Sequence, residues 1–463
     1  MSPRRRSIQF AVKCHVSSAV VLLCAGVSTG QEHAAPSVAS QPSTPTTRHR
    51  ASLQDAGLVV AVVDDTLGER VLRATGGRTD QPTTHERRAY EREHSDEALE
   101  LLRSLGVNML IVPFGGHGPP EYEANERTLA KSFLRRAQAQ GFLVGYWLPL
   151  GYVNPATWKE SEVAIDDWLA KSANGNPLSV DAIGGCRVDR YAPDYVRHAD
   201  ALAGEAAREP RPDAIVIRDF TVSGGYGPDA QAAFRKWVHR HRGGMGRTTE
   251  ADDVDTASLA IPKPNDADAR LMESWMAFRA DRLMDRLDAL RRIIHGIDPG
   301  IAVGVGVPIR PFDPARGAGP CFDLAELSKR GVLISDEMTV YVDNRKHVLH
   351  QIPAIKALSD AGCRVISRAV RPIDVAQSMA FGRNTAGRIA SFSYGHITAE
   401  SITHTPVDSQ TVAMAQFLRK HPEWFADVHR AVDFVLFRPS VIAAGRPPAD
   451  ATLYAQTAGA LVT

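Results

Sequence analysis

The chain has 463 residues, 44% of them hydrophobic and 23% charged, with 54 basic against 53 acidic side chains. That balance excludes a fibrous or globally disordered protein, and the length admits one large domain of TIM-barrel size with extra segments, or two to three ordinary domains. Residues 1–50 hold six of the basic and one of the acidic side chains, so the rest carries 48 against 52, a formal charge of −4. Such a balance gives no support for nucleic-acid or anionic-membrane partners.

At the start, Arg4 to Arg6 and Lys13 precede an apolar and small-residue run from Val16 to Gly26, the pattern of a secretory signal peptide over residues 1–30. Ser28 and Gly30 suit cleavage near Gln31. The run is shorter than the roughly 20 residues of a membrane span, so the expected mature protein is soluble, secreted or periplasmic, and free of the membrane after cleavage. Residues 31–50, rich in Ser, Thr, Pro and Ala, read as a disordered linker. Of five cysteines, Cys186, Cys321 and Cys363 remain beyond the signal, enough for one disulfide at most. No CxxC pair or Cys/His cluster suggests zinc, and no metal or other cofactor is expected.

From residue 57 onward, short apolar runs rich in β-branched residues alternate with longer helical patterns, as in a parallel sheet built from β-α units. The runs are Leu58–Asp64, Asn108–Phe114, Phe142–Leu148, Asp213–Asp219, Ile301–Val307, Val332–Tyr341, Cys363–Arg368 and Arg388–Tyr394. Amphipathic segments such as Ser95–Gly106, Glu126–Gly141 and Ser274–Gly296 fall between them, with Ser95 as an N-cap lacking a full capping box. Eight such strands fit an α/β fold of the (β/α)8 TIM-barrel type, spanning residues 51–400. No Gly-rich dinucleotide fingerprint follows the first strand. Residues 401–463 hold one more helix-to-strand unit, a C-terminal extension or the start of a second domain.

Active sites of such barrels lie at the C-terminal ends of the strands. Asp219 closes an otherwise apolar strand before the Gly-rich FTVSGGYG and is the candidate nucleophile or general base; the alternative is a helix cap or an ion-pair partner. Alternation along the strand sends Arg218 to the opposite face. Asp336 and Glu337 lie in the sixth strand, and Glu337 is the chosen partner for a two-carboxylate glycoside hydrolysis, against a buried salt bridge to Arg368 or Arg310. His117 in FGGHGPP, Trp147 in GYWLPLG, Tyr341, Arg368, Tyr394 and His396 are candidate substrate-binding residues. No GxSxG elbow, HExxH helix or P-loop is present.

The stretch from Cys186 to Val238, with its Tyr-rich helix start, the PDAIVIRD strand and the F-x-x-W helix, resembles the region around strand four in the hypothetical glycosyl hydrolases related to α-L-fucosidases. FGGHGPPEYE, Trp275 to Arg279 and AGCRVI fit the same order of elements. Trimerisation-domain β-galactosidases are also similar. The fucosidase-like resemblance implies that Asp219 is the nucleophile; this chain departs from it at Ala214, where Gly is usual, and at Arg218. The β-galactosidase-like pattern expects Asn-Glu where Arg218-Asp219 stand, and a Glu where Arg368 stands. The expected activity is therefore retaining hydrolysis of O-glycosidic bonds in an oligo- or polysaccharide. The alternatives are a carbohydrate-binding barrel without catalysis, or lysis or deacylation of carbohydrate.

Overall fold

A computed structural model describes residues 59–63, 65–104, 106–159, 161–180, 184–208, 210–220, 225–241, 259–263, 269–307, 324–336, 363–369 and 385–389, with 417, 420 and 421. The elements begin with β1 (Val59–Val62), α1 (Leu67–Thr75), α2 (Thr84–Glu93), α3 (Asp96–Ser104), β2 (Met109–Pro113), α4 (Pro120–Ala139) and β3 (Leu143–Pro149). Three short strands follow, β4 (Tyr152–Val153), β5 (Ser179–Val180) and β6 (Gly185–Arg187), and then α5 (Pro193–Arg208), β7 (Ala214–Arg218), α6 (Pro228–His241) and α7 (Ala269–Ile297). The rest are β8 (Ala302–Val307), α8 (Leu324–Lys329), β9 (Leu333–Asp336), β10 (Arg364–Ala369) and β11 (Thr385–Ile389).

β1, β2, β3, β7, β8, β9, β10 and β11 pair in parallel in that order, and β11 pairs back onto β1 through Val59–Gly387 and Val60–Arg388. The result is an α/β fold with a parallel sheet curled on itself. β4, β6 and β5 form a separate antiparallel sheet between β3 and α5. Their two- and three-residue lengths leave no periodicity for a sequence reading to find.

Alternation along the strands sorts the core into two layers. Val60, Val62, Met109, Ile111, Trp147, Ala214, Val216, Leu333 and Ile366 cluster on the concave face. Ala61, Leu110, Val144, Ile215, Val303 and Val365 face outward and pack with helix residues such as Leu99, Phe133, Leu202 and Leu287. Both faces are covered, which is why the strands read as unbroken apolar runs. The last strand, Thr385–Ile389, begins three residues before the run Arg388–Tyr394 and shares Arg388 and Ile389 with it; residues 390–394 lie outside the described residues. Its register against β10, from Val365–Thr385 to Ala369–Ile389, is set by pairing of small residues that carry no hydrophobic signal. β9 as described ends at Asp336; Glu337 and Tyr341 lie outside the described residues. No disulfide joins Cys186 and Cys363. No described helix is long and apolar enough to cross a membrane.

Helix starts are marked by side-chain caps. Thr66 and Glu69 form a reciprocal capping box on α1, Thr83 and Glu86 another on α2, and Ser95 Oγ accepts from the Ala98 N–H at 3.3 Å. α4 starts at Pro120, six residues before the expected Glu126, because Pro119-Pro120 set its first turn.

The segment between β2 and α4 wraps a single carboxylate. Glu123 accepts from the backbone N–H groups of Gly116, His117 and Gly118 at 2.8–2.9 Å and from Arg127 Nη2 at 2.8 Å. Gly115, at φ 101°, is required there, since a Cβ would stand 2.3 Å from Glu123 Oε2. Gly115→Ala is therefore expected to cost at least about 2 kcal/mol through backbone strain and the clash, read as a lowered urea midpoint at unchanged m-value.

Candidate active site

The C-terminal ends of β1, β2, β3 and β7 bring a set of charged side chains together. Glu69, in the first turn of α1, is 1% exposed and accepts from His117 Nε2 at 2.8 Å and from Tyr152 Oη at 2.8 Å on the same carboxylate oxygen. Its second oxygen accepts from the Thr66 N–H at 2.9 Å. His117 is held from behind: its carbonyl accepts from Asn154 N, Thr157 Oγ1 and Trp158 Nε1 at 3.1–3.2 Å. Its ring stacks on Tyr152 at 4.4 Å.

Burial by itself would raise the Glu69 carboxyl, but the charge and hydrogen bond of His117, with Arg218 and the Thr66 N–H, outweigh it and hold the group below its ordinary value. Burial likewise works to lower His117, and the Glu69 charge and hydrogen bond overcome it, so the imidazole is raised. Both directions favour the ionised forms of this buried pair. Burial dominates a rise of the Tyr152 phenol well above its ordinary value.

Arg218 occupies the position in the sheet that the sequence pattern assigns to the other face. Ala214 and Val216 belong to the concave cluster, and Arg218 continues their series, its Cζ 5.5 Å from the centre of the Trp147 ring. Asp219 does not continue the alternation as an ordinary strand residue facing the mouth. β7 ends at Arg218, and Asp219 is a non-glycine residue with φ 52°. Of the two, it is the left-handed Asp219 that leaves the strand. Arg218 Nη1 lies 3.7 Å from Asp65 Oδ1, with both side chains about one fifth exposed. Its burial is opposed by Tyr152, Glu69, Asp219 and Asp65, which keep the guanidinium charged.

Asp219 sits at the turn after β7 with its carbonyl accepting from Arg190 Nη2 at 2.7 Å. Gly151 faces it so closely that a Cβ there would meet Asp219 Cβ at 2.3 Å. Trp147 is 1% exposed and belongs to the concave core, and His117, at 3%, turns its Nε2 to Glu69. Asp336 is the last residue of β9, in register with Val307. Arg368 lies on β10 in register with Arg388. Glu337, Tyr341, Tyr394 and His396 lie outside the described residues. The structure thus groups His117, Trp147 and Asp219 around Arg218 and adds Glu69, Asp65 and Tyr152, which sequence reading missed. Thr66-Leu67-Gly68-Glu69, a capping box directly after the first strand, was the available signal for Glu69.

An α/β fold with a curled parallel sheet and a polar cluster at the carboxyl ends of its strands belongs to a widely used architecture. No protein-family model and no curated protein sequence matches the chain. Its fold is similar to that of β-galactosidase from Bacillus circulans sp. alkalophilus, at 14% identity and a TM-score of 0.55 over 72% of this chain and 56% of that one. A catalytic mutant of a GH42 β-galactosidase from G. stearothermophilus gives 13% and 0.57 over 82% and 58%. The catalytic domain of β-amylase from Paenibacillus polymyxa gives 11% and 0.51 over 80% and 99%. The chain spans less than two thirds of these β-galactosidases. At such identities the likeness is one of fold, shared with TIM-barrel glycoside hydrolases. The three do not include an α-L-fucosidase.

The buried pair makes stability depend on pH. On the histidine side its contribution is full below the ordinary value of 6.5 and is lost as pH rises through the raised folded value. On the glutamate side it is full above 4.5 and is lost as pH falls through the depressed folded value. Urea unfolding should therefore show maximal stability from the pair between these ordinary values, and Glu69→Gln should flatten that dependence. His117→Ala, which strands a buried carboxylate, should cost about 3–5 kcal/mol.

Proposed function

We propose that the chain is a glycoside hydrolase-like (β/α)8 barrel, acting on a carbohydrate at the C-terminal mouth of its strands, with Asp219 as the nucleophile. The observation that carries this reading is the placement of Asp219: a carboxylate on a left-handed turn at the end of β7, the fourth strand of the parallel sheet, beside the fixed charge of Arg218. Strain of this kind costs about 1–3 kcal/mol and collects at functional sites. The fold likeness to β-galactosidases and β-amylase supports the substrate class.

In the proposed retaining reaction, the Asp219 carboxylate attacks the anomeric carbon while a carboxylic acid protonates the departing glycosidic oxygen; the same group then takes a proton from the water that releases the sugar. Asp336 or Glu337, at and just after the end of β9, is proposed for that proton. Glu69 is not suited to it, being buried and held ionised by His117. Glu69, His117 and Tyr152 act as positioning residues behind Arg218. Export through residues 1–30, a linker over 31–50, a barrel over 51–400 and an extension over 401–463 belong to the same proposal.

One observation favours a second reading, a carbohydrate-binding barrel without turnover. Arg368 stands on β10, the seventh strand of the parallel sheet, where the β-galactosidase-like pattern expects a Glu, and the buried Glu69 is engaged by His117. Asp219→Asn separates the two, because Asn tolerates the left-handed backbone that Asp219 adopts. Turnover of a responsive aryl glycoside should fall at least about 10³-fold at unchanged Tm, the scale on which loss of a nucleophile registers. Equal turnover by the variant would remove Asp219 from the role. Glycan binding by the wild type without release of reducing sugar from any substrate would establish the second reading.

A further inference from the structure

Away from the mouth, α7 meets α5, α6 and the segment after β6 around a partly open cavity of about 320 Å³. Its wall holds Arg190, Tyr191, Arg279, Arg282, Asp285 and Arg286. Positions 279, 282 and 286 are three and four residues apart on α7 and so share one helix face. The fourth guanidinium arrives from the loop before α5. Four positive groups therefore line a space containing one carboxylate, Asp285.

Carboxylates engage two of these guanidinium groups from the side. Arg282 Nη1 pairs with Asp285 at 3.1 Å, and Arg286 Nη1 pairs with Asp200 of α5 at 2.6 Å. Arg190 Nη2 is taken by the carbonyl of Asp219, and its Cζ lies 5.5 Å from the Phe220 ring centre. The Asp219 charge also reaches Arg190. Buried Nη1 of Arg190 and Nε of Arg282 have no hydrogen-bond partner among the described residues. Aromatic faces fix the direction of two guanidinium planes: Arg279 lies over Trp275 at 5.6 Å and Arg282 over Phe278 at 5.9 Å. Partly buried guanidinium groups are costly to hold so close together without an anion, and their planar forks match a phosphate, sulfate or carboxylate in two-point contact.

We infer that this cavity is a binding site for an oxyanion group, carried either by a free ion or by an acidic sugar, with Arg190, Arg279, Arg282 and Arg286 as its donors. The volume suits a charged group together with one ring. The site does not depend on the glycosidase reading, yet it is joined to the mouth, since Arg190 both lines the cavity and grips the Asp219 carbonyl. An occupant would brace the turn that carries Asp219.

The full chain is titrated with potassium phosphate, potassium sulfate and digalacturonate, each against potassium chloride of equal ionic strength, with Tm and calorimetric heat as readouts. At least one of the three should raise Tm saturably and bind with measurable heat. Arg282→Gln should weaken that binding at least ten-fold. Ala289→Leu, which fills the cavity and keeps every charge, should do the same, and Arg282→Lys should weaken it about three-fold by losing the fork. The chloride Tm of each variant reports its folding, and Ala289→Leu with Arg282→Lys decide the matter if Arg282→Gln does not fold. Tighter binding of digalacturonate than of phosphate assigns an acidic sugar, and the reverse assigns a free ion or a phosphate ester. No shift beyond chloride with any of the three, or affinity unchanged in the folded variants, overturns the inference.

Discussion

The buried bridge between Glu69 and His117 is the interaction on which the mouth of the sheet depends. Two ions taken out of water carry a desolvation cost of several kcal/mol each, and the surrounding structure is arranged to offset it. Tyr152 and the Thr66 N–H complete the carboxylate, while Asn154, Thr157 and Trp158 anchor the His117 backbone. Behind His117, three successive N–H groups close on Glu123, which Arg127 neutralises. Helix α1, the β2–α4 segment and the short strand β4 are thereby fixed to one another by a chain of charge-assisted hydrogen bonds.

What this frame presents is Arg218. The guanidinium stacks over Trp147 on the concave face and draws on the negative groups around it, Glu69, Asp219 and Asp65 among them. Asp219 is then the residue where the strand stops being a strand. Its left-handed backbone, the grip of Arg190 on its carbonyl and the absence of a side chain at Gly151 all belong to one local solution, which sets a carboxylate at the end of β7 beside a fixed positive charge. The arginine-lined cavity extends that arrangement on the far side of Arg190.

Much of the sheet was legible in the sequence because strands covered on both faces are continuously apolar. β1, β2, β7 and β8 fall within the runs that mark them, and β3 and β10 each overrun theirs by one residue. The start of β11 was not legible, since Thr385, Ala386 and Gly387 carry no hydrophobic signal and owe their place to backbone pairing with two neighbours. The candidate site was legible only in part. Asp219 followed from its position after an apolar strand and His117 from its glycine-rich surroundings. Glu69 was hidden because a capping glutamate and a buried ion-pair partner look alike in sequence. Arg218 was misassigned because alternation holds only while φ stays in the strand region, and no residue pattern announces that an aspartate adopts φ 52°.

The measurement that bears most directly on this account is the protonation of His117, followed by imidazole ¹⁵N NMR on the full chain, with His117→Gln identifying the resonance. A buried imidazolium bridged to Glu69 should remain doubly protonated as pH rises past 6.5, the ordinary histidine value. Replacing Glu69 by Gln should bring its titration down. An imidazole already neutral at pH 6, or one whose titration does not change in Glu69→Gln, would contradict the claim that this ion pair organises the mouth.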